Sequence, residues 1–168
     1  MSVTQPMLRE FDMEMAGLRK VLERVPGGKA DWRPHPKSTP LNRLATHLAE
    51  LAGRAADTLT LEGRAIDPRT MKPPLTLTST ADIVKLFDEN AARSRAALTA
   101  ATEADLAKPW TFTVMGKVVF TGTRGEAYRT TFLNHTLHHR AQLGVYLRLL
   151  DVPVPGLYGP TADEPIAP

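Results

Sequence analysis

His135 and His139 lie four residues apart in the run Asn134-His135-Thr136-Leu137-His138-His139-Arg140-Ala141-Gln142-Leu143. Side chains at that spacing share one face of a helix, so the two imidazoles can converge on a single ion. His47 supplies a third, three residues after Leu44 and four before Leu51 in another apolar-patterned segment. Three neutral imidazoles from two facing helices suit Zn²⁺, Ni²⁺, Cu²⁺ or Fe²⁺. Three protein ligands also leave a coordination position open for water or substrate, as in catalytic zinc sites. Zinc-protease helices carry two histidines at the same spacing, but the glutamate that accompanies them is missing here. On spacing alone a second reading stands beside this one: three hydrogen-bonded core histidines with no ion.

The neighbouring polar residues read as support. Gln142 continues the stripe that holds His135 and His139. His138 points about 100° away from His139 by helix periodicity and is expected to flank the site. His35, between Pro34 and Pro36, belongs to a surface loop. Glu50, three residues after His47, is either a solvated carboxylate or a partner standing behind that histidine. Arg140 reads as a salt-bridge or interface residue, Trp32 as a cap on one end of the core, and Tyr128 and Tyr146 as core. No general base can be assigned; Glu50, Tyr146 and Asp163 are the candidates.

Composition narrows the chemistry further. The 168 residues contain no cysteine and five histidines. That excludes a disulfide scaffold, a thiolate zinc site, an iron–sulfur cluster and a cysteine nucleophile. There is no Ser/His/Asp set, phosphate-binding loop or carboxylate pair. The net charge of +3 comes without any Lys/Arg run, which argues against nucleic-acid binding. No stretch reaches the about 18 apolar residues of a membrane span. Arg9, Glu10, Asp12 and Glu14 occupy the place of a signal peptide's apolar region, so a cytoplasmic protein is expected.

The elements that must position these residues read as four helices in one domain spanning residues 1–168. The first runs from Thr4 to Val25, with Leu8, Phe11, Met15, Leu18, Leu22 and Val25 as its seam. Pro26-Gly27-Gly28 stops it, and a proline-containing loop follows to Pro40. Thr39-Pro40 reads as an N-cap with proline at the first helical position. The second helix spans Leu41 to Leu61, and Asp67 to Ser79 is a connection. The third starts at Ser79 or Thr80 and ends near Ala101, with Val84, Phe87, Ala91 and Leu98 inward. Trp110–Val114 and Lys117–Thr121 around Met115-Gly116 form a hairpin. Thr123 and Glu126 make a capping box for a fourth helix that continues to Leu150. Its inward stripe is Tyr128, Phe132, His135, His139, Gln142, Tyr146 and Leu149. The proline-rich residues 151–168 form a tail, either docked or loose.

Three motifs in order give the sequence a specific resemblance. Asp31-Trp32-Arg33-Pro34-His35-Pro36-Lys37-Ser38 leads into Leu44-Ala45-Thr46-His47-Leu48-Ala49. The His135–Gln142 run follows. Then come Val152-Pro153-Val154-Pro155 and Tyr158-Gly159-Pro160-Thr161-Ala162-Asp163-Glu164. Together they resemble the DinB-like (DinB/YfiT) family over nearly the whole chain, although Ala141 stands where that family commonly has glycine. The resemblance implies an all-α, up-down four-helix bundle binding a metal through His47, His135 and His139, with zinc or nickel favoured and iron an option. It also implies a homodimer and, for some relatives, transferase or isomerase chemistry on small molecules using a low-molecular-weight thiol.

Two functions follow as expectations. In one, the ion activates water or an external thiol, and the thiol attacks a small electrophile. In the other, the protein is a non-catalytic metal-binding or stress-response dimer whose ion ties two helices together. A shared fold does not choose between them.

Overall fold

A computed structural model of the chain describes residues 4–166. Met1–Val3 and the last two residues of the tail, Ala167 and Pro168, lie outside it. The chain is mostly helical with a small three-stranded sheet. Helix α1 (Thr4–Leu22) buries Phe11, Met15, Leu18 and Leu22 of the expected seam and Val21 beside it, while Leu8 is half-buried. It ends before Val25, which is nonetheless buried in the turn that follows.

The expected second helix is two helices, α2 (Leu41–Leu51) and α3 (Arg54–Thr60). The break is imposed from helix α4 (Thr80–Ala100). Asn90 Nδ2 donates to the Ala49 carbonyl at 3.0 Å, and Arg93 Nη2 to that of Gly53 at 2.9 Å. Ser94 Oγ donates to the Ala52 carbonyl at 2.6 Å and accepts from the Ala56 amide at 3.1 Å. These bonds satisfy backbone groups that a helix end leaves orphaned. A Cβ at Gly53 would lie 2.5 Å from Arg93 Nη2 and 2.7 Å from Asn90 Oδ1, so only glycine fits there without a shift. The start of α2 also differs from expectation. Pro40 stands at the cap and no side chain caps the helix. The Thr39 carbonyl instead accepts from Tyr146 Oη at 3.1 Å.

The hairpin forms from β2 (Pro109–Val114) and β3 (Lys117–Thr123), paired antiparallel. Met115 and Gly116 both have positive φ, 50° and 76°, the combination a tight hairpin turn uses. An unexpected third strand, β1 (Gly63–Ile66), adds parallel to β2. Gly63 permits this pairing, since a Cβ there would meet the Thr111 carbonyl oxygen at 2.5 Å. Between α4 and β2 lies a short unexpected helix, α5 (Glu103–Leu106), with Thr102 and Asp105 as its capping box.

The capping box of Thr123 and Glu126 is present as expected. The helix it opens is not uniform. It comprises α6 (Arg124–Ala127), a π-helical segment (Tyr128–Asn134) and α7 (His135–Leu149). The wider turns shift the register, which corrects the expected stripe. Tyr128, Phe132, Leu133, Thr136, Arg140, Leu143, Tyr146 and Leu147 are buried, while Gln142 and Leu149 are exposed. Helix α2 packs against α4 and α7, α3 against α4, and α1 against α4 and α7. Among the described residues no helix is long and apolar enough to cross a membrane.

The tail docks without regular structure. Glu164 pairs with Arg24 at 2.5 Å, and Asp163 with Arg148 at 2.5 Å. Tyr158 Oη donates to Glu14 Oε2 at 2.7 Å. Glu14 in turn pairs with Arg140 at 2.8 Å, both side chains being almost fully buried. Arg140 thus fills its expected salt-bridge role, inside the molecule rather than on its surface.

Candidate metal centre

His47 sits in the middle of α2, and His135 and His139 occupy the first two turns of α7. Because α2 packs on α7, the three rings meet. One ring nitrogen from each lies within 4.8 Å of the others. His135 Nε2 and His139 Nε2 are 2.8 Å apart. Ring centroids of His47 lie 5.3 Å from His135 and 4.9 Å from His139. All three side chains are half-buried.

Neighbours fix how the rings present themselves. Gln142 Oε1 lies 2.7 Å from His139 Nδ1. An amide oxygen only accepts, so Nδ1 carries the proton and Nε2 turns a lone pair to the cluster. His135 hydrogen-bonds the Thr131 backbone, which leaves its Nε2 for the cluster. His47 Nδ1 lies 3.4 Å from Arg43 Nη2 and 3.7 Å from Glu50 Oε2. Arg43 and Glu50 are themselves paired at 2.7 Å. Hydrogen bonds such as those of His139 and His135 hold metal-binding imidazoles in one tautomer and orientation.

The electrostatics favour neutral rings at His135 and His139. Burial, then the charges of His139, Arg54 and His47, push the His135 pKa down to about 4. Burial also lowers that of His139, against the raising effect of the Gln142 hydrogen bond. For Glu50, burial raises the pKa, but hydrogen bonds from His47 and Arg43 outweigh it and hold the carboxyl below its ordinary value. A neutral imidazole is the form that binds a metal.

The donor set fits an ion. With metal–nitrogen distances of about 2.0–2.1 Å, two ligating nitrogens lie about 2.9–3.4 Å apart for octahedral to tetrahedral angles. The His135–His139 separation of 2.8 Å needs only a small opening to match, and the 4.8 Å limit on the whole trio leaves His47 to close inward on the ion. Three imidazole nitrogens and no fourth histidine or carboxylate complete the cluster among the described residues.

A cleft of about 250 Å³ opens beside the cluster, lined by Arg43, His47, Glu50, Arg54, Arg64 and Lys72 among others. The cations outnumber the carboxylates. Arg54 was not singled out by the sequence reading, yet the signal is there. Arg43, His47, Glu50 and Arg54 are spaced 4, 3 and 4, the pattern of one helical face, and although the helix breaks before Arg54 all four line the cleft.

The remaining candidates fall elsewhere. His138 is exposed, its ring centroid 4.9 Å from that of His139. His35 is exposed, and its Nδ1 accepts from the Lys37 amide at 3.1 Å. Glu50 stands behind His47 rather than free in solvent. Tyr146 is buried, with Trp32 edge-on at 5.6 Å. Asp163 is taken up by Arg148 and the Val154 amide, which removes it as a base for this site.

The sequence matches the DinB superfamily over residues 10–143. Two solved structures share the fold. A DinB-like protein from Bacillus cereus has a TM-score of 0.70 at 21% identity, with 94% of this chain and 98% of that one covered. A DinB-like protein from Bacillus subtilis has a TM-score of 0.67 at 15% identity, with 90% and 97% covered. No functionally curated protein matches the chain.

Proposed function

The chain belongs to the DinB superfamily, and on that premise we propose that it binds a divalent transition metal through His47, His135 and His139 in an up-down four-helix bundle. The convergence of three ring nitrogens within 4.8 Å carries this reading. Zinc and nickel match a three-imidazole set, with iron a further option. A bound ion would lower the pKa of a water or thiol at its open position and so supply a nucleophile near neutral pH.

The activity we infer is transfer of a thiol to a small electrophile. The chain has no cysteine, so the thiol comes from outside and enters through the cleft beside His47. Its sulfur bonds to the electrophilic carbon, the leaving group departs with the electron pair of the broken bond, and the thiol proton passes to solvent. The protein's own part is to orient the three rings, through Gln142 on His139 and the Arg43–Glu50 pair on His47. A second reading is favoured by the cluster's position across the α2–α7 interface. There the ion cross-links two helices and does no chemistry.

Cobalt-substituted protein distinguishes the two. A small thiol should change the visible spectrum if the ion has an open position. An unchanged spectrum at saturating thiol would overturn the transferase reading and leave the cross-link.

A further inference from the structure

Arg54 makes no hydrogen bond or ion pair among the described residues. It is half-buried and lines the cleft that holds His47. The nearby carboxylates are committed elsewhere. Glu50 pairs with Arg43 at 2.7 Å, and Asp57 with Arg93 at 2.8 Å and Arg64 at 3.7 Å. An unpaired charge removed from water is costly. Burial, with the charge of Arg64, lowers the Arg54 pKa to about 10, against the weaker attraction of Glu50 and Asp57. Its charge also opposes any cation held by the histidines. A guanidinium beside a site for a dication is unfavourable unless an anion lies against it.

We propose that Arg54 anchors an anion-binding subsite beside the histidine cluster, taking the carboxylate of a small molecule whose other end reaches the metal position. The proposal rests on the metal reading of the cluster. Arginine presents a planar fork that accepts a carboxylate through two parallel bonds. The cleft of about 250 Å³ is small beside the roughly 300–1,000 Å³ of drug-sized sites, which favours a small-molecule occupant. Lys72, on the rim of the same cleft, adds attraction for the incoming anion. The break between α2 and α3 positions Arg54, since it immediately follows Gly53.

The experiment compares 3-mercaptopropionate with the neutral 3-mercaptopropanol on cobalt-loaded protein. Metal content is measured first and should be equal in wild type and Arg54→Gln. Wild type should bind the acid about ten- to a hundredfold more tightly than the alcohol, the range of a charge-assisted hydrogen bond. Arg54→Gln should lose that preference while binding the alcohol as before, and Arg54→Lys should keep part of it. No preference in wild type, or an undiminished one in Arg54→Gln, overturns the subsite. If wild type holds no metal, the metal reading fails by itself. Succinate is then titrated into both metal-free proteins: binding lost in Arg54→Gln supports the subsite, and equal binding or none overturns it.

Discussion

His135 Nε2 and His139 Nε2 face each other at 2.8 Å, one turn apart on α7. Without an ion they can share at most one proton comfortably, because a second would place two positive rings in contact. Burial makes the charged forms costlier still.

A pH dependence follows for the metal-free protein. The His135 pKa falls from 6.5 to about 4 on folding. Between those values the unfolded chain binds the more protons, so stability rises with pH across the window. The contribution is fully present above about pH 6.5 and is lost as pH falls toward 4. Urea unfolding at pH 7 and pH 5 should show a larger drop for wild type than for His135→Gln. Equal drops would mean that His135 is not held neutral by the fold.

Gln142 is exposed on α7, yet its amide oxygen lies 2.7 Å from His139 Nδ1. Gln142→Leu removes that acceptor and touches no ligand. Competition with a metal-sensitive dye should register about a 10- to 100-fold loss of affinity, the usual effect of deleting such a partner. Unchanged affinity would show that His139 is oriented by packing alone.

Glu14 and Arg140 form a buried pair at 2.8 Å joining α1 to α7. Tyr158 closes it from the tail, with the Arg140 guanidinium carbon 5.2 Å from the ring centroid. Glu14→Ala leaves the buried arginine without its carboxylate and should cost about 3–5 kcal/mol in denaturant unfolding. Replacing both partners with apolar residues of similar volume should recover most of that loss, which marks the cost as an orphaned charge rather than general loosening.

The trio of histidines was legible because helical spacing places His135 beside His139, and because His47 interrupts an apolar stripe. The capping box of Thr123 and Glu126 was legible because it is local. What escaped depends on distant parts of the chain. Nothing near Gly53 announces the break between α2 and α3, since its cause is Asn90, Arg93 and Ser94 on α4. Strand β1 is four residues long, too short to display alternation, and forms only because β2 lies alongside. The stripe through Gln142 and Leu149 assumed a constant period, which the π-helical segment Tyr128–Asn134 alters just before His135. Such segments recur at functional sites, and here the insertion sets which face of α7 meets α2.

The account stands or falls on whether the three histidines act together on one ion. Metal analysis of untagged wild type, His47→Ala and His139→Ala, each offered zinc and then dialysed, tests this directly. Wild type should retain about one ion per chain, and each variant should lose most of it while keeping its helical circular dichroism. Retention of the metal by both variants, or a wild type that binds none, would contradict the account and return the cluster to three hydrogen-bonded histidines.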